Sequence, residues 1–224
     1  KLEDNKIDII FGTHSLFQKK ITFNKLGLIV VDEQHKFGVN QRKKLSEKGG
    51  YNCDVLVMSA TPIPRTMMMT LYGDMDITLI KSKPKNRKVI HTYTKDAKKL
   101  DEVIKFIKKE INNNNQIFWV CPLIEESKKI DHQSSISRFN YLTKFFNNKV
   151  GLLHGSIDKD KKDKILNRFL KNELDILVST TVIEVGIDFP NANVIVIENA
   201  NKYGLSQLHQ LRGRVGRGIK QSTC

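Results

Sequence analysis

Four groups of residues have the types and spacing to do chemistry. Asp32 and Glu33 close the apolar run Leu28–Val31 and are followed by Gln34 and His35. In an open parallel sheet ligands gather at the carboxyl ends of strands. Asp32 is therefore placed to hold Mg²⁺, directly or through water, and Glu33 to orient or deprotonate a water attacking a phosphate. A merely solvated acidic pair at a strand end has the same sequence. Ser59 and Thr61 lie in Met58-Ser-Ala-Thr-Pro62, after another apolar run. Their hydroxyls can hydrogen-bond to the acidic loop and relay its state, although Ser and Thr before a proline are also ordinary turn residues.

The third group is Ser179-Thr180-Thr181-Val-Ile-Glu184-Val-Gly186-Ile-Asp188, again after an apolar run. Thr180 and Thr181 can contact a phosphate backbone, Gly186 permits a tight turn, and Asp188 can accept from a ribose hydroxyl or from an arginine. By itself this is a generic loop. The fourth group is Gln207-Leu-His-Gln210-Leu-Arg212-Gly-Arg214-Val-Gly-Arg217-Gly218. Helical spacing puts Leu205, Leu208, Leu211 and Val215 on one stripe and Gln207, Gln210 and Arg214 on another face, with Arg217 three residues further. Arg stays protonated and presents a planar fork, which suits it to the charge spreading over a transferring phosphoryl group. Glycines at 213, 216 and 218 are costly inside a helix and point to a close backbone approach.

The elements that must position these groups alternate between short β-branched runs and longer amphipathic stretches, the pattern of parallel strands joined by helices. Strands are predicted at Ile7–Phe11, Leu28–Val31, Val55–Met58, Val89–Tyr93, Ile117–Cys121, Gly151–Leu153, Ile176–Ser179 and Val194–Ile197. Helices are predicted at Lys99–Ile111 and at Lys159–Leu170, the latter with Asp158 as N-cap. Asn112–Asn115 reads as a loop after the first of these helices. The basic, Pro-containing stretch Lys81–Lys88 lacks an apolar face and reads as a linker, dividing the chain at residues 1–88 and 89–224.

With 224 residues the chain can bury a core without disulfide staples. No apolar run approaches the roughly 18 residues of a membrane span, and Lys1–Lys6 has no secretory pattern, so a cytoplasmic protein without a membrane partner is expected. Cys53, Cys121 and Cys224 are far apart and show no metal-ligand spacing. The formal charge of +14 makes a polyanionic partner plausible, although lysine scattered among Asn and Ile is also what a biased genome composition gives. Each half carries +7, from 16 basic and 9 acidic residues before Val89 and 22 and 15 from it onward.

In this order, DEQH, SATP, TTVIEVGID and QLRGRVGRG resemble motifs II, III, V and VI of superfamily 2 helicases. The longer context resembles the RecG branch, which acts on branched DNA: Gly12-Thr-His-Ser-Leu-Phe17, Val31–Val39, Ala60–Thr66, Trp119–Ser127 and Pro190-Asn-Ala192. The transcription-repair coupling translocases share the segments around Thr61 and Arg214, but Gln34-His35 and Trp119–Ser127 favour RecG. The resemblance implies an α/β fold of two RecA-like parallel-sheet domains and an ATP-dependent translocase on double-stranded and branched DNA. ATP and Mg²⁺ would be the cofactors, and a monomer is expected. It further implies that Asp32 and Glu33 act on ATP and Mg²⁺, that Ser59 and Thr61 couple hydrolysis to movement, and that His35 links the nucleotide loop to the interdomain surface. Gly12, Thr13 and His14 would lie on the DNA path. Gln210, Arg214 and Arg217 would complete the ATP site, the two arginines as fingers, with Gly186 and Asp188 lining the same cleft.

The pattern departs from the family in lacking G-x-x-x-x-G-K-[ST] and a wedge domain, and the sequence stops soon after Gly218. The expectation is a first RecA-like domain incomplete on its N-terminal side and a second truncated at its C-terminal end. Such a chain would turn over little ATP alone. A fragment that binds DNA or a partner without hydrolysis is the competing expectation.

Overall fold

A computed structural model describes residues 6–18, 20–33, 48, 53–60, 76–80, 82, 87–122, 128–180 and 188–224, without the side chains of His14, Phe17 and residues 128–133. The chain divides into two compact units, Lys1–Ile77 and Thr78–Cys224. Among the described residues every pairing between strands is parallel in both units, and in the second unit the strands alternate with helices.

In the first unit β1 (Leu28–Val31) pairs with β2 (Asp54–Val57), Val31 opposite Val57. Ile29 and Val31 are buried against Leu26, Cys53 and Val55, whereas Leu28 and Val30 point outward. The pleat sends successive side chains to opposite faces, so one face of this ribbon is covered and the other is open. Residues Ile7–Phe11, expected as a strand, form none: they have no ladder partner among the described residues, and Ile9 and Phe11 are exposed. A β-branched run is a strand only where a second edge meets its N–H and C=O groups.

The second unit holds a four-stranded sheet in the order β4-β5-β3-β6. Its strands are β3 (Gln116–Val120), β4 (Val150–Leu153), β5 (Ile176–Ser179) and β6 (Ala192–Ile197). Helices α1 (Leu100–Asn112) and α2 (Lys128–Phe146) supply one layer, and α3 (Lys159–Leu170) and α4 (Leu205–Arg212) contribute to the other. Alternation along β3 builds both cores: Ile117, Trp119 and Cys121 meet Ile104, Ile107 and Leu142, while Phe118 and Val120 meet Leu166, Phe169 and Leu211. Phe118, Phe169 and Phe189 pack as a trio with ring centroids 5.3–5.6 Å apart. Burial on both faces is why these strands read as unbroken apolar runs.

Periodicity does not predict helix α2, because its apolar residues do not keep to one stripe and Ser134, Ser135, Asn140 and Thr143 are poor helix formers. Leu142 nevertheless anchors it, fully buried. Asp158 does occupy the N-cap of α3, but its carboxylate makes no cap hydrogen bond and faces Lys161 instead, 3.6 Å away. The segment Val89–Tyr93, expected as a strand, is reduced to a bridge because its partner is only Ser222–Cys224: His91 N–H donates to Ser222 O (3.0 Å), Tyr93 N–H to Cys224 O (2.9 Å) and Cys224 N–H to His91 O (2.8 Å). Thr223 also bridges Val194, so this tail lies between β6 and the 89–93 segment.

Asn114, Asn147 and Asn172 adopt left-handed φ of 50–58° just beyond α1, α2 and α3. Asparagine tolerates this conformation better than other side-chain-bearing residues, so part of the Asn enrichment has a local function in ending helices. None of the described helices is long and apolar enough to cross a membrane.

Candidate functional site

The carboxyl end of the β1–β2 ribbon carries Asp32, Glu33 and Ser59. The ladder continues one step past the strands through Met58 N–H to Val31 O (2.8 Å), which brings Ser59 beside Asp32. Asp32 is exposed, and its Oδ1 accepts the Glu33 N–H at 2.9 Å. Glu33 is half-buried with φ of 51°, a left-handed geometry uncommon for a residue with a Cβ, so the turn departs sharply from the strand direction. His35 and Thr61 lie outside the described residues.

Ahead of β1, Thr13 precedes a short 3-10 turn, His14–Phe17, and its Oγ1 lies 3.4 Å from Ser15 Oγ. A Cβ on Gly12 would stand 2.6 Å from Leu16 Cγ, so the close packing of this turn favours glycine. Lys48 fixes the segment that follows: its Nζ donates to Gln18 O and Ile21 O, both at 2.6 Å, and to Leu16 O at 3.4 Å. That charge is committed to backbone carbonyls.

In the second unit Thr180 is buried directly after β5, and Thr181 and Gly186 lie outside the described residues. Asp188 emerges exposed ahead of β6, and Arg217 reaches it, Nη1 to Oδ1 at 3.7 Å; Arg217 Nε also donates to Gly213 O at 3.4 Å. The expected helical face that would carry Gln207, Gln210 and Arg214 together does not form, because α4 ends at Arg212 with Gly213 as its C-cap. Arg214 and Arg217 stand in the loop beyond it, while Gln210 remains on the helix. Gln207 closes the other end of α4, its Oε1 accepting the Gly204 N–H at 3.1 Å. The glycines therefore end the helix and shape the loop: Gly216 has φ of 75°, and a Cβ on Gly218 would fall 2.6 Å from Pro190 O. Leu211 and Val215 are buried as expected, but Leu205 is exposed.

A second polar cluster, to which the sequence reading assigns no chemical role, occupies the carboxyl ends of β3 and β6. Glu198 accepts from Trp119 Nε1 and pairs with Arg138 Nε from α2. The Arg138 guanidinium lies 5.3 Å from the Trp119 ring centroid and 5.2 Å from that of Tyr141, within cation–π range. Burial pushes the neighbouring Cys121 thiol up to about 12, with Glu198 adding to the shift, and burial likewise raises the Tyr203 phenol. Cys121 is thus an inert core thiol. An open cavity of about 1210 Å³ adjoins this cluster and is lined by Trp119, Arg138, Glu198, Leu205, His209 and Arg212, with none of the sequence-predicted site residues among its lining.

No group of three His, Cys, Asp or Glu among the described residues could cage a metal. Mg²⁺ does not require one, since it is commonly held by one or two carboxylates together with phosphate oxygens and water. The exposed Asp32 carboxylate at a strand end fits that donor set.

Comparison with known proteins matches residues 98–218 to the Helicase conserved C-terminal domain and residues 1–70 to the DEAD/DEAH box helicase family. The chain is 50% identical to the ATP-dependent DNA helicase RecG of Bacillus subtilis (strain 168), over 100% of its own length and 33% of that protein. It therefore spans about a third of the length of the curated relative. A solved structure of RecG bound to a three-way DNA junction is 44% identical and superposes with a TM-score of 0.72, covering 100% of this chain and 28% of that one. The Mycobacterium smegmatis helicase Lhr, bound to single-stranded DNA and AMP-PNP, shares the fold alone at 15% identity, with a TM-score of 0.59 over 88% of this chain and 28% of that one.

Proposed function

The chain belongs to the helicase family of the conserved C-terminal domain, with a sequence of RecG type, and on that premise we propose that it serves an ATP-driven translocase on double-stranded DNA that remodels branched junctions. The observation that carries the reading is positional. Asp32, Glu33 and Ser59 stand together at the carboxyl ends of β1 and β2 and Thr180 stands at that of β5, while Asp188 and Arg217 are joined by an ion pair on the amino-terminal side of β6. Parallel sheets offer ligands the carboxyl edge, where the acidic pair stands.

Within this reading Asp32 is the carboxylate that would hold Mg²⁺, which when bound would supply charge neutralisation for the phosphates of ATP. Glu33 directs the attacking water and takes its proton. Arg214 and Arg217 stabilise charge spreading over the transferring phosphoryl group, with Gln210, Gly186 and Asp188 around the same nucleotide. Asp188 holds the Arg217 guanidinium ready by its ion pair in the absence of phosphate. Ser59, Thr61 and His35 pass the state of the nucleotide to the DNA-contacting residues Gly12, Thr13, His14, Thr180 and Thr181.

The test uses the complete gene product, with ATP turnover measured with and without a three-way DNA junction. Glu33→Gln is expected to abolish turnover while ATP still binds, and Arg217→Ala to cut it by about 10³-fold, the lower end of the range for arginine fingers. Junction-stimulated turnover that survives both changes overturns the assignment.

A further inference from the structure

The loop that carries Arg214 and Arg217 is held from behind by a polar network that no catalytic role accounts for. Three residues after Arg217, the Lys220 ammonium donates to Asn113 O (3.0 Å), Asn114 O (3.1 Å) and Asn115 Oδ1 (3.3 Å). These acceptors lie just past the end of α1, where the helix dipole favours a cation. Asn115 Oδ1 also accepts from Asn193 Nδ2 (3.0 Å), whose own Oδ1 accepts from Ser222 Oγ (3.3 Å), and Asn115 Nδ2 donates to Glu110 Oε2 (2.7 Å). Asn115, Asn193 and Ser222 are buried, so each hydrogen bond is costly to lose.

The same stretch is pinned along its backbone. Thr223 N–H donates to Asn193 O (2.9 Å), Ile195 N–H to Thr223 O (2.9 Å) and Gln221 Nε2 to Val89 O (2.5 Å). On the other side of Arg217, a Cβ on Gly216 would meet Ile90 at 3.1 Å and Ser222 at 3.7 Å, and directly after it Gly218 sits against Pro190 O. Arg217 therefore projects from a segment clamped both before and after it. Val89 and Ile90, which hold that clamp, immediately follow the basic Lys81–Lys88 stretch.

We propose that Lys220 and the Asn115–Asn193–Ser222 network form a positioning device that sets the Arg217 guanidinium and ties the arginine loop to the residues entering the second unit and to the end of α1. This rests on the reading of Arg217 given above. Lys220 touches neither phosphate nor DNA in this role; it acts through the backbone of the loop. Because Lys220 is exposed and its partners are backbone carbonyls and one amide oxygen, replacing it leaves the hydrophobic core intact.

The experiment compares Lys220→Met, Lys220→Arg and Arg217→Ala in the complete gene product. It reads kcat and KM for ATP, affinity for a three-way junction, and the melting temperature. Lys220→Met is expected to lower kcat about tenfold, as a small displacement of a catalytic group does. KM, junction affinity and melting temperature should stay near wild type, and Lys220→Arg should recover most of kcat because it restores the cation. Unchanged kcat in Lys220→Met alongside loss of turnover in Arg217→Ala overturns the positioning role and leaves the functional reading standing. A drop in melting temperature that fully accounts for the lost activity also overturns it, because a purely structural lysine would give that result. Undiminished turnover in Arg217→Ala overturns both readings.

Discussion

The two sheets carry their candidate chemistry on different foundations. In the second unit every residue of β3 and β5 is buried, covered on both faces by helices or by Phe189 and the arginine loop. In the first unit β1 alternates exposed and buried, and among the described residues of that unit only the apolar side chains of Ile29 and Val31 are buried. Asp32 thus stands at the end of a ribbon with one open face, whereas Arg217 stands on a loop clamped to a filled core. On the proposed roles, a carboxylate that holds a metal and a phosphate is fixed partly by those ligands, and a guanidinium that meets a transient charge has to be fixed in advance.

The largest contrast between the two foundations should appear in thiol chemistry. Burial pushes Cys121 from an ordinary thiol value of 9.0 up to about 12, while Cys53 in the first unit is raised only by slight burial and by Asp54. The thiolate is the nucleophile, and a thiol that ionises only near pH 12 carries about 10³-fold less of it at pH 8 than an ordinary one. Alkylation followed by mass spectrometry should modify Cys53 first and Cys121 slower by about that order. Equal rates in the folded protein would show that the second core is not closed.

Next in size is Phe118→Ala, which removes the centre of the aromatic trio and should cost about 3–5 kcal/mol. Trp119 is the only tryptophan and lies in the same strand, so its fluorescence during denaturation reads this unit specifically. Asn193→Ala should cost less, about 1–3 kcal/mol, by leaving buried groups on Asn115 and Ser222 without their partner. A loss below that range would mean that water replaces the asparagine amide, and the clamp would then be softer than the core it stands on.

What can be read from the sequence is what is local. β3 and β5 announce themselves as apolar runs because both faces are buried, and Asp32 and Ser59 can be placed together because parallel neighbours end on one edge. Helical spacing carries α4 too far, because it says nothing about where glycines stop the helix; the Gly213 C-cap removes Arg214 from the face that spacing assigns it. The α2 helix lacks a stripe and is invisible to periodicity. The Arg217–Asp188 pair spans 29 residues and the Asn193–Asn115 bond 78. No spacing rule reaches either, since only the finished sheet order brings β6 beside β3. The scattered lysines count toward a polyanion in composition, yet Lys48 and Lys220 close loops through carbonyls, a use that composition does not distinguish.

The smallest effect is the most direct probe of the open face. Val30 is 52% exposed and Ile29, its neighbour on the same strand, only 7%. Full burial of a valine side chain stabilises by about 1.5–3 kcal/mol, so a half-exposed one has roughly half of that to lose, and Val30→Ala removes only its two methyl groups. Val30→Ala should therefore cost under about 1 kcal/mol, with part of that from lost β-propensity, against about 2–4 kcal/mol for Ile29→Ala. Hydrogen exchange at the amides of Leu28–Val31 separates the two, because it follows the ribbon without reference to the second unit. If both substitutions accelerate exchange equally, Val30 is covered in solution, and the contrast between a half-clad ribbon under Asp32 and a filled core under Arg217 is lost. If only Ile29→Ala does, the register of β1 is held by a single face, and the acidic pair at its end depends on that face for its position.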